Sequence, residues 1–511
     1  MNIKRIGATV LAAAFVLPTL AFSGCSKQND TIILRVYNWE EYMDQGGEES
    51  YDGTADAPSM TERFESWYEE TYGTPIRVEY STFGTNEDLY NQLRLANEGN
   101  SYDLLCPSEY MIMKLAAEDR LEAYDESFFD PSVPENYYIR NVSPYIRSIF
   151  EGNKINKSDE TDNATWADYA VGYMWGVTGF IYNSQEVDFD ELSSLGWDAM
   201  TAEIYKNKVT TKDNVRDTYF AALAILYRDE ITALDMDDVN YNQKLSEILN
   251  RTDDETVQKV EKILEKIDNN IYSYETDTGK NDMVLGNIWL NFAWSGDAVY
   301  AMDLAEEEDG VSLSFFIPNE CANLWFDGWV MPKGANKQAA QAFVNFLSRP
   351  DNAVRNMYYI GYSSVIAGDV EDEEYASTVL DYVKECYEVD EETEDVLLYD
   401  LSYFFGQDAT FFADSEQATT RQLHAQYPPE SAVRHCAVMD YYGEEANENI
   451  NELWSRIKAE SLDAWAIAVL VIAAALIILV PLSAKLGNQI DLTRKPKKGY
   501  TLVKQENIRS I

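Results

Sequence analysis

Four short clusters in the sequence each place an aromatic residue within three positions of a carboxylate. They are Trp39-Glu40-Glu41-Tyr42, Ser108-Glu109-Tyr110, Trp294-Ser295-Gly296-Asp297 and Trp325-Phe326-Asp327. An aromatic face attracts an ammonium group by about 0.5–2 kcal/mol, and a charge-assisted hydrogen bond to a carboxylate contributes roughly 1.5–3 kcal/mol. A cleft that combines both would suit an elongated polycation, with rings along its methylenes and carboxylates at its amines. Asp213 and Asp217, four residues apart, are a fifth candidate.

Each cluster also has a purely structural interpretation. An aromatic residue that ends a strand is usually part of the core, and an acid that follows it usually caps a helix or faces water. The recurrence of the pattern at four equivalent positions favours a shared function, but spacing alone leaves both interpretations open.

The elements that must position these clusters alternate between strands and helices. Apolar, β-branched runs predict strands at Ile32–Trp39, Ile76–Phe83, Tyr102–Cys106, Gly172–Asn183, Asn291–Trp294 and Trp325–Pro332. Helical periodicity lies between them, and the chain beyond Gly368 is predicted to be acid-rich and mainly helical. Alternation of this kind favours a mainly parallel sheet with its ligand crevice at the carboxyl ends of the strands, where the clusters fall. The acidic stretch Asp44–Asp56 is predicted to be an exposed loop.

Composition excludes several classes of function. The 511 residues include 89 acidic and 40 basic side chains, for a net charge of −49, and are 46% hydrophobic. The chain is therefore a folded protein whose surface repels nucleic acid. Two histidines and the absence of CxxC spacing argue against histidine catalysis and zinc, so no cofactor and no metal are predicted. A Cys386–Cys436 disulfide and separate buried thiols both remain open.

The two ends of the chain indicate export. Lys4 and Arg5 precede an apolar run that ends in Ser-Gly-Cys25, which predicts a signal peptide and, by similarity to the lipobox of bacterial lipoproteins, lipidation of Cys25. Near the other end, the uncharged stretch Ala464–Ala484 is long enough to cross a bilayer as a helix. The tail that follows is basic, which predicts a cytoplasmic C-terminus and an extracytoplasmic remainder.

A series of motifs resembles the spermidine/putrescine-binding proteins of bacterial polyamine ABC importers. The matching segments, in chain order, are YNWEEY at residues 37–42, TNEDLY at 85–90, YDLLCPSEY at 102–110, YMWGVT at 173–178, AWSGDA at 293–298, LWFD at 324–327 and a stretch within 340–362 that contains FLSRPDNA and IGY. Each motif is short, but together they cover the chain from about Ile32 to Tyr362 in the family's order.

This resemblance implies an α/β, two-lobed periplasmic-binding-protein fold of type II, with two strand crossovers as the hinge near Trp175/Gly176 and Asp327/Gly328. The expected signal occupies residues 1–25. The first lobe is expected to comprise residues 26–175 and 328–370, and the second lobe residues 176–327 and 371–462. Residues 463–485 are expected to form the transmembrane helix and residues 486–511 the cytoplasmic tail.

The same resemblance implies the residues of the cleft. One wall would contain Trp39, Glu41, Tyr42, Ser108, Tyr110 and Tyr362, and the other Asp217, Trp294, Trp325 and Asp327. In the family, a D-x-x-[DE] pair holds one amine; Asp217 fits its second position, whereas the first falls at Asn214, beside Asp213. A late polar contact is expected at Asp440. The choice between putrescine and spermidine stays open.

The function expected from these features is that of a membrane-attached, extracytoplasmic receptor that captures a polyamine and delivers it to ABC permease subunits, without catalysis. An alternative is a receptor for a sugar or another small solute, because aromatic clefts also stack on sugar rings. A secreted glycosidase would need two carboxylates, such as Glu41 and Asp327, about 5–10 Å apart. A sensor ectodomain is disfavoured by the short tail after Lys485.

Overall fold

The computed structural model of the chain describes residues 31–95, 102–155, 163–307, 310–368, 375 and 378–460. The strands are β1 (Ile32–Trp39), β2 (Ile76–Phe83), β3 (Leu104–Leu105), β4 (Leu121–Glu122), β5 (Ala170–Asn183), β6 (Val209–Lys212), β7 (Ser273–Glu275), β8 (Leu290–Trp294), β9 (Leu313–Phe316), β10 (Ala322–Pro332), β11 (Ser363–Ser364), β12 (Val396–Asp400), β13 (Thr410–Asp414) and β14 (Cys436–Ala437).

Helices connect most of these strands. They are α1 (Met60–Tyr72), α2 (Asn86–Leu95), α3 (Glu109–Ala117), α4 (Tyr137–Asn141), α5 (Pro144–Gly152), α6 (Trp166–Tyr169), α7 (Phe189–Leu195), α8 (Val215–Leu226), α9 (Arg228–Thr232), α10 (Tyr241–Leu249), α11 (Asp254–Asn270), α12 (Thr278–Val284), α13 (Ser295–Glu307), α14 (Lys337–Leu347), α15 (Pro350–Ile360), α16 (Thr378–Tyr387), α17 (Ser402–Phe405), α18 (Ser415–Thr419), α19 (Gln422–Gln426), α20 (Glu430–Val433) and α21 (Glu444–Glu460). Short 3₁₀ turns occupy Glu126–Phe129, Gly196–Thr201 and Glu203–Tyr205.

The main sheet runs through both halves of the molecule in the order β2-β1-β3-β10-β5-β8-β6-β7. β1 is parallel to β2 and to β3, and β6 is parallel to β7 and to β8. These two parallel groups are the sheets of the two lobes, and helices cover them because both faces of a parallel sheet must be buried. The described chain is thus a two-lobed α/β protein.

Two long strands, β5 and β10, pass from one lobe to the other. They pair antiparallel to each other, and every residue of both is buried. β5 pairs with β10 near its start and with β8 and β9 near its end. The β5–β10 register shifts between Asp327 and Gly328, which is an irregularity of the β-bulge type. Such bulges re-aim a side chain next to a functional site, and this one lies at Asp327.

Residues 378–433 pack against both lobes. α17 lies against α5 and α16 against α15, whereas α19 lies against α13. The Ser143 hydroxyl donates to the Phe404 carbonyl in the first lobe, and Gln422 donates to Asp303 in the second. The prediction of a mainly helical region misses the antiparallel hairpin of β12 and β13. The loop Asp44–Asp56 is exposed over much of its length, but the prediction is wrong at Asp44 and Ser50, which are buried and hydrogen-bonded to each other.

The fold prediction is wrong in its C-terminal transmembrane helix. Among the residues that the structure describes, no helix is both long enough and apolar enough to cross a membrane. The last of them, α21, has 17 residues and carries charged side chains along its length, such as Glu448, Glu452 and Arg456. The predicted span at 464–484, the basic tail, the signal peptide and the lipidation site Cys25 lie outside the described residues. Cys386 and Cys436 are both free thiols.

Candidate functional site

The centre of the site is the carboxylate of Asp327, which is 7% exposed. Ser108, at the start of α3, donates its hydroxyl to Oδ1 at 2.8 Å, and Tyr42, just after β1, donates to Oδ2 at 2.8 Å. Among the described residues, no Lys or Arg nitrogen lies within 4.0 Å of this carboxylate. Burial therefore raises the pKa of Asp327 to about 6, although both hydroxyl donors act in the opposite direction.

Aromatic rings surround this carboxylate. The ring of Tyr362 lies edge-on to those of Tyr42 and Trp325, with centroid separations of 5.4 and 5.5 Å. Two glycines make this packing possible. A Cβ at Gly176 would overlap the Trp325 indole, and a Cβ at Gly296 would overlap the Tyr362 ring. The motifs that contain these glycines therefore set the positions of the rings as well as the backbone.

Tyr110 joins the same cluster through Asn86, which is buried. The Asn86 amide donates to the Ser108 hydroxyl at 3.1 Å and to the Tyr110 hydroxyl at 3.0 Å. Asn86 begins α2, so the two helix starts at α2 and α3 hold each other in place. The Tyr110 ring also lies under the Arg216 guanidinium, 4.7 Å from its centroid, which connects the first lobe to α8 of the second.

The second lobe contributes Asp217 in the first turn of α8, where Asn214 caps the helix. Asp217 is 2% exposed, and its Oδ1 has no hydrogen-bond partner among the described residues. Burial raises its pKa to about 6, against the opposing charge of Lys212 and a bond from the Trp294 indole. Burial raises the pKa of Glu109 to about 8. The negative charges of Asp327 and Asp217 make a smaller contribution in the same direction. Three buried carboxyl groups therefore share this part of the molecule.

The ring of Trp294 forms a cation–π contact with a lysine of the protein. The Lys212 ammonium, at the end of β6, lies 4.2 Å from the Trp294 ring centroid. It is also 3.2 Å from Asp297 and 3.1 Å from Glu275, and its side chain is 1% exposed. Asp297 further accepts hydrogen bonds from Lys280 at 3.1 Å and from the Tyr362 hydroxyl at 2.9 Å. This network therefore connects directly to the rings around Asp327.

The structure thus brings together most of the residues predicted for the cleft. The connected group consists of Tyr42, Ser108, Tyr110, Asp217, Trp294, Trp325, Asp327 and Tyr362. Trp39 ends β1 with its ring 4.6 Å from Phe83, and its buried indole N–H has no partner among the described residues.

Three predicted residues lie apart from this group. Glu41 is exposed and adopts a φ of 51°, in the turn after β1. Asp213 is exposed and pairs with Lys458 of α21 at 2.5 Å. The backbone carbonyl of Asp440 accepts a hydrogen bond from the Arg216 guanidinium. Of the expected D-x-x-[DE] pair, the second position is the buried Asp217, whereas Asn214 at the first position caps α8.

Three residues lie beside the site in the structure but are not among the predicted site residues: Glu109, Lys212 and Asp297. Glu109 and Asp297 belong to two of the four aromatic–acid clusters, so the pattern contains them without distinguishing them from their neighbours. Lys212 immediately precedes Asp213, and no local signal distinguishes it from a solvent-exposed lysine. Its role depends on β7, β8 and α13, which supply its partners from distant parts of the sequence.

Comparison with known proteins agrees with this geometry. The sequence model described as "Bacterial extracellular solute-binding protein" matches residues 60–380, more than half of the chain. The chain belongs to that family. Its relatives are solute-binding proteins and not enzymes, and the chain is therefore a solute-binding protein and not an enzyme.

Among relatives of this solute-binding protein is the spermidine/putrescine-binding periplasmic protein of Salmonella typhimurium, 28% identical over 353 residues, which cover 69% of this chain and 82% of the relative. The putrescine-binding periplasmic protein PotF of Escherichia coli is 27% identical over 341 residues, which cover 65% of this chain and 77% of the relative.

Solved structures confirm the two-lobed fold. The spermidine/putrescine ABC transporter substrate-binding protein PotD from Streptococcus pneumoniae superimposes with a TM-score of 0.54 at 24% identity, over 84% of this chain and 100% of that chain. A putative spermidine/putrescine ABC transporter protein from Listeria monocytogenes gives a TM-score of 0.55 at 24% identity, over 84% of this chain and 99% of that chain.

Proposed function

We propose that this solute-binding protein captures a polyamine, putrescine or spermidine, between its two lobes and delivers it to the permease of an ABC importer. The relatives that carry polyamine-binding names support the class of ligand and the transporter. The contacts of this chain's own residues support the mode of binding, as follows.

The observation that carries the proposal is the environment of Asp327. A buried carboxylate is costly unless a cation is paired with it. Here two hydroxyl groups orient both carboxylate oxygens, and none of the described cationic side chains forms an ion pair with them. An ammonium group of the ligand would supply the counter-charge that the protein lacks. Asp217 has a free oxygen in the same region and would receive the second ammonium group.

The rings explain why an alkyl diamine fits better than a compact cation. Trp325, Tyr362 and Tyr42 pack edge-to-face around Asp327, and Asn86 bonds both Tyr110 and Ser108. Their faces offer apolar surface for methylene groups and negative quadrupoles for the charged ends. In this proposal the site residues are Tyr42, Ser108, Tyr110, Asp217, Trp294, Trp325, Asp327 and Tyr362. Glu41, Asp213 and Asp440 are not among the residues that we assign to the ligand.

Closure of the lobes would complete the site. Asp217 and Trp294 belong to the second lobe, whereas Tyr42 and Ser108 belong to the first, and β5 and β10 connect the two. The expected lobe boundaries near Gly176 and Asp327 fall within these two strands. We therefore propose that bending of β5 and β10 brings the two walls together around the ligand, as in hinged domain closure.

Isothermal titration calorimetry of the purified protein with putrescine and with spermidine tests the proposal. We expect saturable binding of at least one of them, weakened about 10- to 100-fold by Asp327→Asn, which removes one charge-assisted interaction at constant shape. Trp325→Ala should also weaken binding, because it removes ring surface. Asp213→Asn is the matched control, since that carboxylate is exposed and paired with Lys458, and it should bind like the wild type. Absence of polyamine binding, or full binding by Asp327→Asn, would contradict the proposal.

A further inference from the structure

Lys212 occupies a position with every feature of an amine subsite. Its ammonium lies over the Trp294 ring at 4.2 Å, contacts the carboxylates of Glu275 and Asp297 at 3.1 and 3.2 Å, and donates to the Thr276 carbonyl at 3.0 Å. A ring and two carboxylates around one ammonium are the same groups that bind an ammonium of a ligand. In this chain the ammonium is covalently part of the protein.

Each carboxylate oxygen of this subsite already accepts at least one hydrogen bond from the protein. Asp297 receives Lys212 on Oδ2 and both Lys280 and the Tyr362 hydroxyl on Oδ1. Glu275 receives the Gly279 backbone N–H and the Asn291 amide in addition to Lys212. A ligand ammonium that approached this end would find no unpaired carboxylate and would meet the charge of Lys212, which repels it.

The subsite is adjacent to the proposed polyamine site. Tyr362 connects them, because its ring contacts Trp325 and Tyr42 and its hydroxyl binds Asp297. Asp217 lies within the field of Lys212. A chain of methylenes that starts at Asp327 and extends along Asp217 and Trp294 would therefore arrive at Lys212.

We infer that Lys212 takes the place of one ligand ammonium and thereby limits the ligand to a diamine. This inference rests on the proposed function, and it goes beyond it by naming the residue that sets ligand length. The third ammonium of a triamine would be excluded by a like charge, which is specificity achieved through a repulsive element.

A length series of ligands on the wild-type protein is the first test. Calorimetric titrations with 1,3-diaminopropane, putrescine, cadaverine and spermidine should show a diamine bound at least about tenfold more tightly than spermidine, because like charges placed together are strongly unfavourable. Spermidine binding as tight as that of the best diamine would overturn the inference while leaving the proposed function in place. Failure of all four ligands to bind would instead remove the proposed function on which it rests.

Lys212→Met is the second test, because methionine keeps the length and apolar stem of the side chain without its charge. We expect spermidine to gain about tenfold in affinity relative to putrescine, since its third ammonium then pairs with Asp297 and Glu275. Spermidine should also raise the melting temperature of the variant more than putrescine does. An unchanged ratio of the two affinities in a folded variant would show a purely structural lysine and would overturn the inference.

Lys208→Met is the matched control for Lys212→Met. Lys208 is also a lysine beside a tryptophan, with its ammonium 5.2 Å from the Trp289 ring, but it bonds the Asn287 carbonyl and contacts no residue of the site. Its substitution should leave the putrescine-to-spermidine ratio unchanged. If Lys212→Met does not fold, the wild-type length series decides the inference by itself.

Discussion

Asp327 and Asp297 are two carboxylates of the same site with opposite surroundings. Both are nearly fully buried, both follow a tryptophan by two or three residues, and both accept a hydrogen bond from a tyrosine hydroxyl. Asp297 additionally contacts Lys212 and Lys280, whereas Asp327 has only hydroxyl donors. One carboxylate is therefore neutralised by the protein, and the other is left for a ligand.

The pKa directions express the same contrast. Burial acts to raise the pKa of both carboxyl groups, but the charges of Lys212 and Lys280 outweigh it at Asp297, whose pKa is lowered. At Asp327 burial prevails and the pKa rises to about 6. The difference shows that a buried acid in an aromatic cleft is a candidate ligand contact only where its counter-charge is missing. Sequence clusters of the same composition do not reveal this distinction.

The largest effect that this comparison predicts is on stability, at Asp297. Asp297→Asn should lower the free energy of unfolding by about 3 kcal/mol, the low end of the cost of breaking a buried ion pair, because Glu275 still faces Lys212. Chemical denaturation of the ligand-free protein at pH 7 measures it. A loss below about 1 kcal/mol would show that Asp297 is not needed to stabilise the buried ammonium of Lys212.

Asp327→Asn should produce the opposite pattern. Because this carboxylate has no cationic partner, the ligand-free protein should lose less than about 1 kcal/mol of stability, while polyamine affinity falls by about 1.5–3 kcal/mol. The same denaturation experiment, repeated with and without ligand, separates the two effects. A large loss of stability without ligand would show that Asp327, like Asp297, stabilises the fold, and would contradict the prediction.

The pH dependence of binding follows from the raised pKa of Asp327. A carboxyl group with a folded pKa of about 6 and an unfolded pKa near 4 contributes stability at low pH that is lost as the pH rises through 6. Ligand binding requires the ionised form, so Asp327 alone should weaken binding about tenfold between pH 7 and pH 5. Calorimetric titrations of the wild type and of Asp327→Asn at both pH values measure this effect. The part due to Asp327 is the difference between the two proteins in how far affinity falls from pH 7 to pH 5. Identical profiles would show that Asp327 does not titrate with the ligand.

The smallest predicted effect concerns the hydroxyl groups that orient Asp327. Ser108→Ala removes one donor to the carboxylate, and since the Ser108 side chain makes no capping bond to α3, the helix should be unaffected. We expect polyamine affinity to fall by about 0.5–1.5 kcal/mol, the net contribution of a hydrogen bond. Ser455→Ala is the control and should bind normally, because it removes a hydroxyl that bonds the Asn451 carbonyl on the exposed face of α21.

The sequence alone predicts the framework because the framework depends on local patterns. The strands β1 and β2, and β5 from Gly172 onward, follow from apolar runs. The motifs of the resemblance contain Trp325, Asp327 and Tyr362, which the structure brings together. The hairpin of β12 and β13 escapes prediction because its two short apolar runs, VLLYD and TFFAD, lie within an acid-rich stretch.

The electrostatic state of the site cannot be obtained from the same patterns. Glu41 and Asp213 lie in the same kind of sequence as the buried acids, but neither is part of the site. Glu41 lies in a turn with a left-handed backbone conformation, and Asp213 pairs with Lys458. Lys212 meets its partners only through the folding of β6, β7 and β8 next to one another. Which acid is paired and which is free is therefore a property of the tertiary structure.

A crystal structure of the protein grown with putrescine tests the central claim most directly, because it locates the ligand's ammonium groups. We predict one ammonium within hydrogen-bond distance, about 3 Å, of the Asp327 carboxylate, with Lys212 still bound to Asp297. A ligand ammonium at Asp297 with Lys212 displaced, or a ligand that does not touch Asp327, would contradict the account.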